Sequence, residues 1–287
     1  MNREMIELYD EFRKGGMERR EFVRRLALIT GGTTAATGLM ALLDSGAAYA
    51  AALSLDQEDV QSEFITYPGA SGEVRALLSR PKGSKKLPAV IVIHENRGLQ
   101  PHIQDVNRRM AREGFLSIAP DALSPLGGTP EDDPDAARSK MGELDDGKTT
   151  GDFVAAVKYL KTHPLTTGKV GCTGFCWGGG ITNQVAVHAP DLDAAVPYYG
   201  RQPDPEDVPR IKAAVMAHYA GDDERINAGI EAFEKALKEA GIDYQIFIYE
   251  GTRHAFNNDS NPSRYNEEAA KLAWKRTVGF FREKLGG

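Results

Sequence analysis

A mainly parallel β-sheet with helices on both faces is the fold class that this sequence predicts, and three observations predict it. From residue 63 onward, short β-branched runs alternate with helix-length amphipathic stretches, which is the order of α/β architecture. The runs 89–94, 115–119, 169–174, 194–199, 213–219 and 244–249 are largely apolar instead of alternating, as central strands buried on both faces are. A glycine-rich segment, Gly174-Phe175-Cys176-Trp177-Gly178-Gly179, joins one of these runs directly to a helix-length stretch.

Taken in order, 63–67 and 73–79 flank Pro68-Gly69-Ala70-Ser71-Gly72 and read as an antiparallel hairpin at one sheet edge. Helices are expected over 103–113, 152–162, 177–189, 228–240 and 263–285. The last repeats Ala269, Leu272, Ala273, Arg276, Phe280 and Phe281 at three- and four-residue spacings, so one face docks on the sheet. The segment 123–147 is rich in Gly, Pro and Asp and reads as a loop or short helix near the strand ends.

The 287 residues divide into an N-terminal segment, 1–50, and a body, 51–287, of ordinary size for one α/β domain. With 41% hydrophobic and 26% charged residues the chain has the composition of a globule, and a formal net charge of -6 gives no general attraction for phosphate backbones. A small molecule, not nucleic acid, is the expected partner. Two cysteines are too few for a disulfide framework or an all-thiolate metal site. Extended backbone between Cys172 and Cys176 sets their Cα atoms roughly 13 Å apart, beyond bridging distance.

In the N-terminal segment Arg19-Arg20 is followed by Glu21, Phe22 and Val23, then by an uncharged run 26–43 and by Ala48-Tyr49-Ala50. This is the pattern of a twin-arginine export leader, with a mature chain starting near Ala51 in the periplasm or outside the cell. The alternative is a retained helical arm on a cytoplasmic protein, since Ile6, Leu8, Tyr9 and Phe12 look like contact residues and glycines interrupt the apolar run. A stable membrane span is not expected, because spanning takes about 20 predominantly apolar residues.

The strand-to-helix segment around Cys176 carries the chemistry. It is a G-x-nucleophile-x-G elbow with cysteine where serine usually stands, and the glycines remove Cβ atoms that would clash where strand and helix converge. The alternative is a buried structural cysteine. The helix that follows points its N-terminus at Cys176, which is expected to favour thiolate over thiol. Later strands are followed by Gly221-Asp222-Asp223-Glu224-Arg225-Ile226 and by Gly251-Thr252-Arg253-His254-Ala255-Phe256, giving the chain order nucleophile, acid, histidine of an α/β-hydrolase fold. A histidine needs a carboxylate on its second ring nitrogen; Asp223 is the expected one, with Asp222 and then Glu224 as alternatives. His94 ends the first central strand and is expected to shape the site from beneath, whereas His218 lies in an apolar strand as a core residue. His102, His163 and His188 lie in surface turns or at a helix end. The strand end His94-Glu95-Asn96-Arg97-Gly98 is where this fold supplies one oxyanion-hole amide, so the backbone N–H groups of Asn96 and Trp177 are the candidates.

Together the elbow, the glutamate of His94-Glu95, the G-x-D-x-x-I run 221–226 and the G-x-x-H-x-F run 251–256 resemble the dienelactone hydrolase family from about residue 60 to the C-terminus. The resemblance implies a single hydrolase domain without metal or cofactor and a carboxymethylenebutenolidase activity that opens an enol lactone. It implies a triad of Cys176, Asp223 and His254, with Glu95 controlling the thiol. The sequence departs from the family pattern after His254, where Ala255, Phe256, Asn257, Asn258 and Asp259 leave no arginine for a substrate carboxylate; Arg264 and Arg138 are the distant candidates. Phe175, Tyr198, Tyr199 and Trp177 are expected to wall the pocket, with Arg97 at the substrate. The expected function is a cysteine-dependent hydrolase of lactones or activated esters. The rivals are a broader carboxylesterase or thioesterase on the same residues, and a non-catalytic binding protein that keeps the fold.

Overall fold

The computed structural model describes residues 8, 17, 19–30, 59–83 and 85–286. The chain divides into two units, Met1–Ser54 and Leu55–Gly287. In the first, helix α1 (Arg19–Thr30) carries the arginine pair and the start of the apolar run. Glu21 bonds Arg24 at 2.9 Å and Arg25 at 2.8 Å, the i,i+3 and i,i+4 spacings that put side chains on one helix face. Ala48-Tyr49-Ala50 lies outside the described residues. No helix among the described residues is long and apolar enough to cross a membrane.

The second unit holds one eight-stranded sheet: β1 (Val60–Pro68), β2 (Glu73–Pro81), β3 (Leu87–Ile93), β4 (Leu116–Pro120), β5 (Thr166–Phe175), β6 (Ala194–Tyr198), β7 (Ala214–Asp222) and β8 (Tyr244–Arg253). Their spatial order is β1-β2-β4-β3-β5-β6-β7-β8. The hairpin β1–β2, closed by Gly69 N–H donating to Gly72 O at 2.7 Å, forms one edge and pairs antiparallel with β4; every other pairing is parallel. Parallel strands need crossovers, and helices supply them: α2 (Pro101–Arg112), α3 (Pro134–Met141), α4 (Asp146–Thr162), α5 (Trp177–His188), the single turn α6 (Glu224–Asn227), α7 (Ile230–Glu239) and α8 (Glu267–Leu285).

Two hydrophobic layers result. Ala89, Ile91 and Ile93 of β3 pack with Phe153 and Leu160 of α4, Val185 of α5 and Phe233 of α7. Val90 and Val92, on the opposite face, pack with Val106 and Met110 of α2 and Phe280 and Phe281 of α8. The pleat sends successive residues to opposite faces, so a strand covered on both sides must be apolar at every position. Beneath β6–β8 the buried polar atoms satisfy one another. Tyr198 Oη meets Thr277 Oγ1 at 2.6 Å, and His218 bonds Thr277 at 3.0 Å and Tyr249 Oη at 2.9 Å, so His218 is the core histidine its strand context implies.

Three elements differ from the sequence expectation. β8 lies at the far sheet edge instead of the centre, and its residues 244–247 are only half-buried. Segment 123–147, read as a loop or short helix, holds a 3-10 turn, the short helix α3 and the start of α4, so it is not among the three. α4 begins at Asp146, not at 152, because Asp145 caps it by accepting from Lys148 N–H at 2.8 Å; two glycines in its first turns hide it from a propensity reading. α8 likewise starts at Glu267 and not at 263, where Asn266 accepts from Ala269 N–H at 3.0 Å.

A Cβ at Gly178 would collide with the carbonyl oxygens of Ile93 and His94, both backbone atoms that cannot swing away. Gly178→Ala is therefore expected to destabilise the fold by about 3 kcal/mol, the upper end of overpacking costs. Chemical denaturation measures this, and an unchanged midpoint would contradict the packing described.

Candidate active site

The site starts from a strained turn. Cys176, between the end of β5 and the start of α5, has φ 57 and ψ -113, a conformation costing about 1–3 kcal/mol for a residue with a side chain. Its neighbours hold it there. Cys176 N–H donates to Tyr198 O at 3.1 Å and Cys176 O accepts from Gly180 N–H at 3.2 Å. Gly174 packs on the carbonyl of Gly178, and Gly179 on that of Tyr198, both closer than a Cβ permits. The outcome is a half-buried thiol above the carboxyl ends of the parallel strands, where α/β sheets bind ligands.

The loops after β7 and β8 bring the acid and the base together. His254 Nδ1–H donates to Asp223 Oδ2 at 2.5 Å, and Asp223 is buried. Asp222 and Glu224 are exposed and do not bond His254. Asn227 secures the acid loop by donating to Ala220 O at 2.8 Å. The His254 ring lies 5.0 Å from that of Tyr199, and its Nε2 is left for the cavity that Cys176 also lines. No hydrogen bond joins His254 to the Cys176 sulfur in this state.

Glu95 is the second residue beyond β3. Asn258 Nδ2 donates to its Oε2 at 2.9 Å, while its Oε1 is buried without a partner. His94 lies beneath, as its position at the strand end implies. Its Nδ1–H donates to Glu95 O at 2.6 Å, its Nε2 accepts from Ala122 N–H at 3.1 Å, and its ring stacks on Trp177 with centroids 5.3 Å apart. Burial holds this imidazole neutral.

The electrostatics overturn one expectation. The helix N-terminus does not make Cys176 a resting thiolate: burial, reinforced by the negative charge of Glu95, pushes the thiol up to about 11. The Trp177 amide and the Arg225 charge pull the other way and are outweighed.

Cys176, Trp177, Tyr199, His254 and Asn96 line a cavity of about 910 Å³. Three residues expected at the substrate are elsewhere. Phe175, the last residue of β5, points into the layer under α8, its ring 4.8 Å from Tyr198, because pleat alternation turns it away from its neighbour's direction. Tyr198 is in the same layer, so the aromatic wall is Trp177 and Tyr199 alone among the four expected. Arg97 is exposed, 3.8 Å from Asp135, and does not line the cavity. Neither do Arg138 and Arg264, whereas Arg201 and Arg225 do. Sequence reasoning does not find Asn258, Arg201 or Arg225. Their one available signal is position, after His254, after β6 and beside Asp223, and position does not reveal where a side chain points.

A mainly parallel eight-stranded sheet, a cysteine on a strained strand-to-helix elbow and a buried Asp–His pair on the following loops define an α/β-hydrolase. The model of the dienelactone hydrolase family matches residues 74–285, and the chain belongs to that family. It is 33% identical over 255 residues to a Saccharolobus solfataricus protein named "Putative carboxymethylenebutenolidase", covering 76% of this chain and 97% of the relative. It is 37% identical to protein usf of Aquifex pyrophilus, covering 78% of this chain and 99% of the relative. A solved Klebsiella pneumoniae structure titled "Putative Dienelactone Hydrolase" superposes with a TM-score of 0.68 at 30% identity, covering 77% of this chain and 98% of that one.

Since Glu95 raises the thiol, Glu95→Gln is expected to lower the Cys176 titration midpoint from about 11. Thiolate absorbance, or the pH profile of alkylation by iodoacetamide, measures the midpoint in the free enzyme. A midpoint that stays or rises in the variant would contradict the assigned role of the carboxylate.

Proposed function

We propose that this chain hydrolyses lactones or activated enol esters through an acyl-cysteine intermediate, with Cys176 as nucleophile, His254 as base and Asp223 as the carboxylate that orients it. The observation that carries this reading is the 2.5 Å Asp223–His254 hydrogen bond, which fixes the proton on Nδ1 and turns a basic Nε2 toward the cavity lined by the thiol. The carboxymethylenebutenolidase name carried by the Saccharolobus solfataricus relative supports the same substrate class.

The chemistry follows from the groups. Substrate entry displaces the resting arrangement, and the Cys176 proton passes to His254 or Glu95 as sulfur attacks the ester carbonyl. The backbone amides of Asn96 and Trp177 hold the oxyanion. Collapse of the tetrahedral adduct breaks the C–O bond and expels an enolate, which takes up the proton. Water then attacks the thioester with His254 as base, releasing the acid and restoring the thiol. An enolate leaves more readily than an alkoxide or an amide, so a sulfur nucleophile goes forward on an enol ester where it would be expelled again from an ordinary alkyl ester. A thiol held protonated until substrate arrives suits a half-buried sulfur that must not be oxidised or alkylated between turnovers.

Steady-state kinetics on an unsaturated lactone test this. Cys176→Ala is expected to lower kcat by at least about 10³-fold and Asp223→Asn by about 10²–10⁴-fold, with far-ultraviolet spectra unchanged. Full activity in Cys176→Ala would overturn the reading.

A further inference from the structure

The amide of Asn96, assigned above to the oxyanion, sits in a turn with little structure of its own. Residues 94–100 join β3 to α2, and within them Gly98 takes φ 74 while Gln100 N–H donates to Gly98 O at 2.8 Å. No strand ladder or helix holds such a turn, yet an oxyanion donor is effective only if its direction is set before the charge develops. Two bonds set this one, on either side of Asn96-Arg97-Gly98. In front, His94 Nε2 accepts from Ala122 N–H at 3.1 Å, which leaves the ring proton on Nδ1, where it is donated to Glu95 O at 2.6 Å. Behind, Leu99 N–H donates to Thr129 Oγ1 at 2.8 Å.

Both anchors come from one segment, 121–129, which follows β4 and lines no part of the catalytic cavity. A single buried carboxylate folds it. Asp121 Oδ1 accepts from Leu123 N–H at 3.0 Å and from the Thr129 hydroxyl at 2.7 Å, and Oδ2 accepts from Thr129 N–H at 2.8 Å. Because the Thr129 hydroxyl donates to Asp121, its lone pairs are left for Leu99. The relay from Leu99 N–H through Thr129 to Asp121 therefore runs in one direction and ends on a charge, which strengthens each bond in it. The segment is rooted in the sheet, since Asp121 N–H donates to Arg75 O of β2 at 2.8 Å. The fit leaves no slack at Gly98, where a Cβ would collide with the Thr129 side chain. His94 extends the same frame to the other amide, because its ring stacks on that of Trp177 with centroids 5.3 Å apart.

We propose that segment 121–129 is the template of the oxyanion hole, with Thr129 and His94 as positioning residues that aim the Asn96 amide without touching substrate. This rests on the hydrolase reading above and goes beyond it, because it assigns a role in carbonyl attack to residues outside the cavity.

The test separates attack on a carbonyl, which needs the hole, from alkylation of the same sulfur by iodoacetamide, which expels iodide and builds no oxyanion. The readout is kcat/KM for α-angelica lactone, an enol lactone, divided by the second-order rate constant for alkylation of Cys176 in the same preparation. Thr129→Val keeps the side-chain shape and removes the hydroxyl, and its ratio is expected to fall about 10–100-fold, the scale of a misaimed oxyanion donor. Thr129→Ser returns the hydroxyl and is expected to recover most of that loss. His94→Leu removes the other anchor and is expected to lower the ratio as far. His94→Gln, which offers an acceptor to Ala122 and a donor to Glu95 O, is expected to lower it less. The His94 pair carries the test should Thr129→Val fail to fold. A ratio that stays constant in Thr129→Val and His94→Leu would overturn the proposal, whether both rates hold or both drop together as in a general disturbance. An equal fall in Thr129→Ser would overturn it too. Lactone turnover that needs Cys176 but ignores Thr129 and His94 would sink the template alone, whereas turnover that survives in Cys176→Ala would sink the hydrolase reading beneath it.

Discussion

The left-handed backbone at Cys176 is the constraint on which the rest of the site depends. A residue with a Cβ adopts φ 57 only if its surroundings enforce it, and here three glycines let β5, α5 and the ends of β3 and β6 approach closely enough to do so. The same close approach sets Glu95 beside the thiol and the Trp177 amide beside the sulfur. The sheet contributes rigidity: β5 is paired on both sides, with Ile93 opposite Gly174 and Phe175 opposite Tyr198. A nucleophile on such a base is positioned before substrate arrives, and preorganisation of this kind is a large part of what a hydrolase fold supplies.

Around that fixed point the electrostatics oppose reactivity in the resting molecule. Burial and the Glu95 charge favour the neutral thiol, while Arg225 and the helix amide favour the thiolate. The balance depends on a carboxylate whose one oxygen is held by Asn258, a neutral donor, and whose other is buried and unpaired. An unsatisfied buried oxygen costs about 1–3 kcal/mol, so Glu95 is under tension to find a partner. The loop bearing Asn258 is anchored in turn through Asp259, which meets His102 at 3.1 Å and Arg109 at 2.6 Å on α2.

Much of this was legible in the residues. The two-sided burial of β3 to β7 is written in uninterrupted apolar runs, and the elbow in Gly174, Cys176, Gly178 and Gly179. The chain order of Asp223 and His254 is equally plain, although choosing Asp223 over Asp222 takes the geometry of one loop. Illegible were features set by direction instead of composition. Phe175 and Cys176 are neighbours, yet the pleat buries one and the turn presents the other. Arg97, expected at the substrate, extends to solvent. Arg201 and Arg225 belong to no pattern, and the pairing of β6 with β7 brings the loops that carry them to one wall. The thiol's charge state departs from expectation for a similar reason, because a helix terminus is visible in sequence and the degree of burial is not. At the N-terminus, the arginine pair lies within α1, and the small-residue pattern after it lies outside the described residues.

The measurement that bears most directly on the elbow as a nucleophile is mass spectrometry of enzyme quenched during turnover of an ester whose acyl group is released slowly. The expected result is a single acyl group, carried on the peptide containing Cys176 and absent when the thiol is alkylated beforehand. Turnover with no acylated enzyme, or acylation at any other residue, would contradict it.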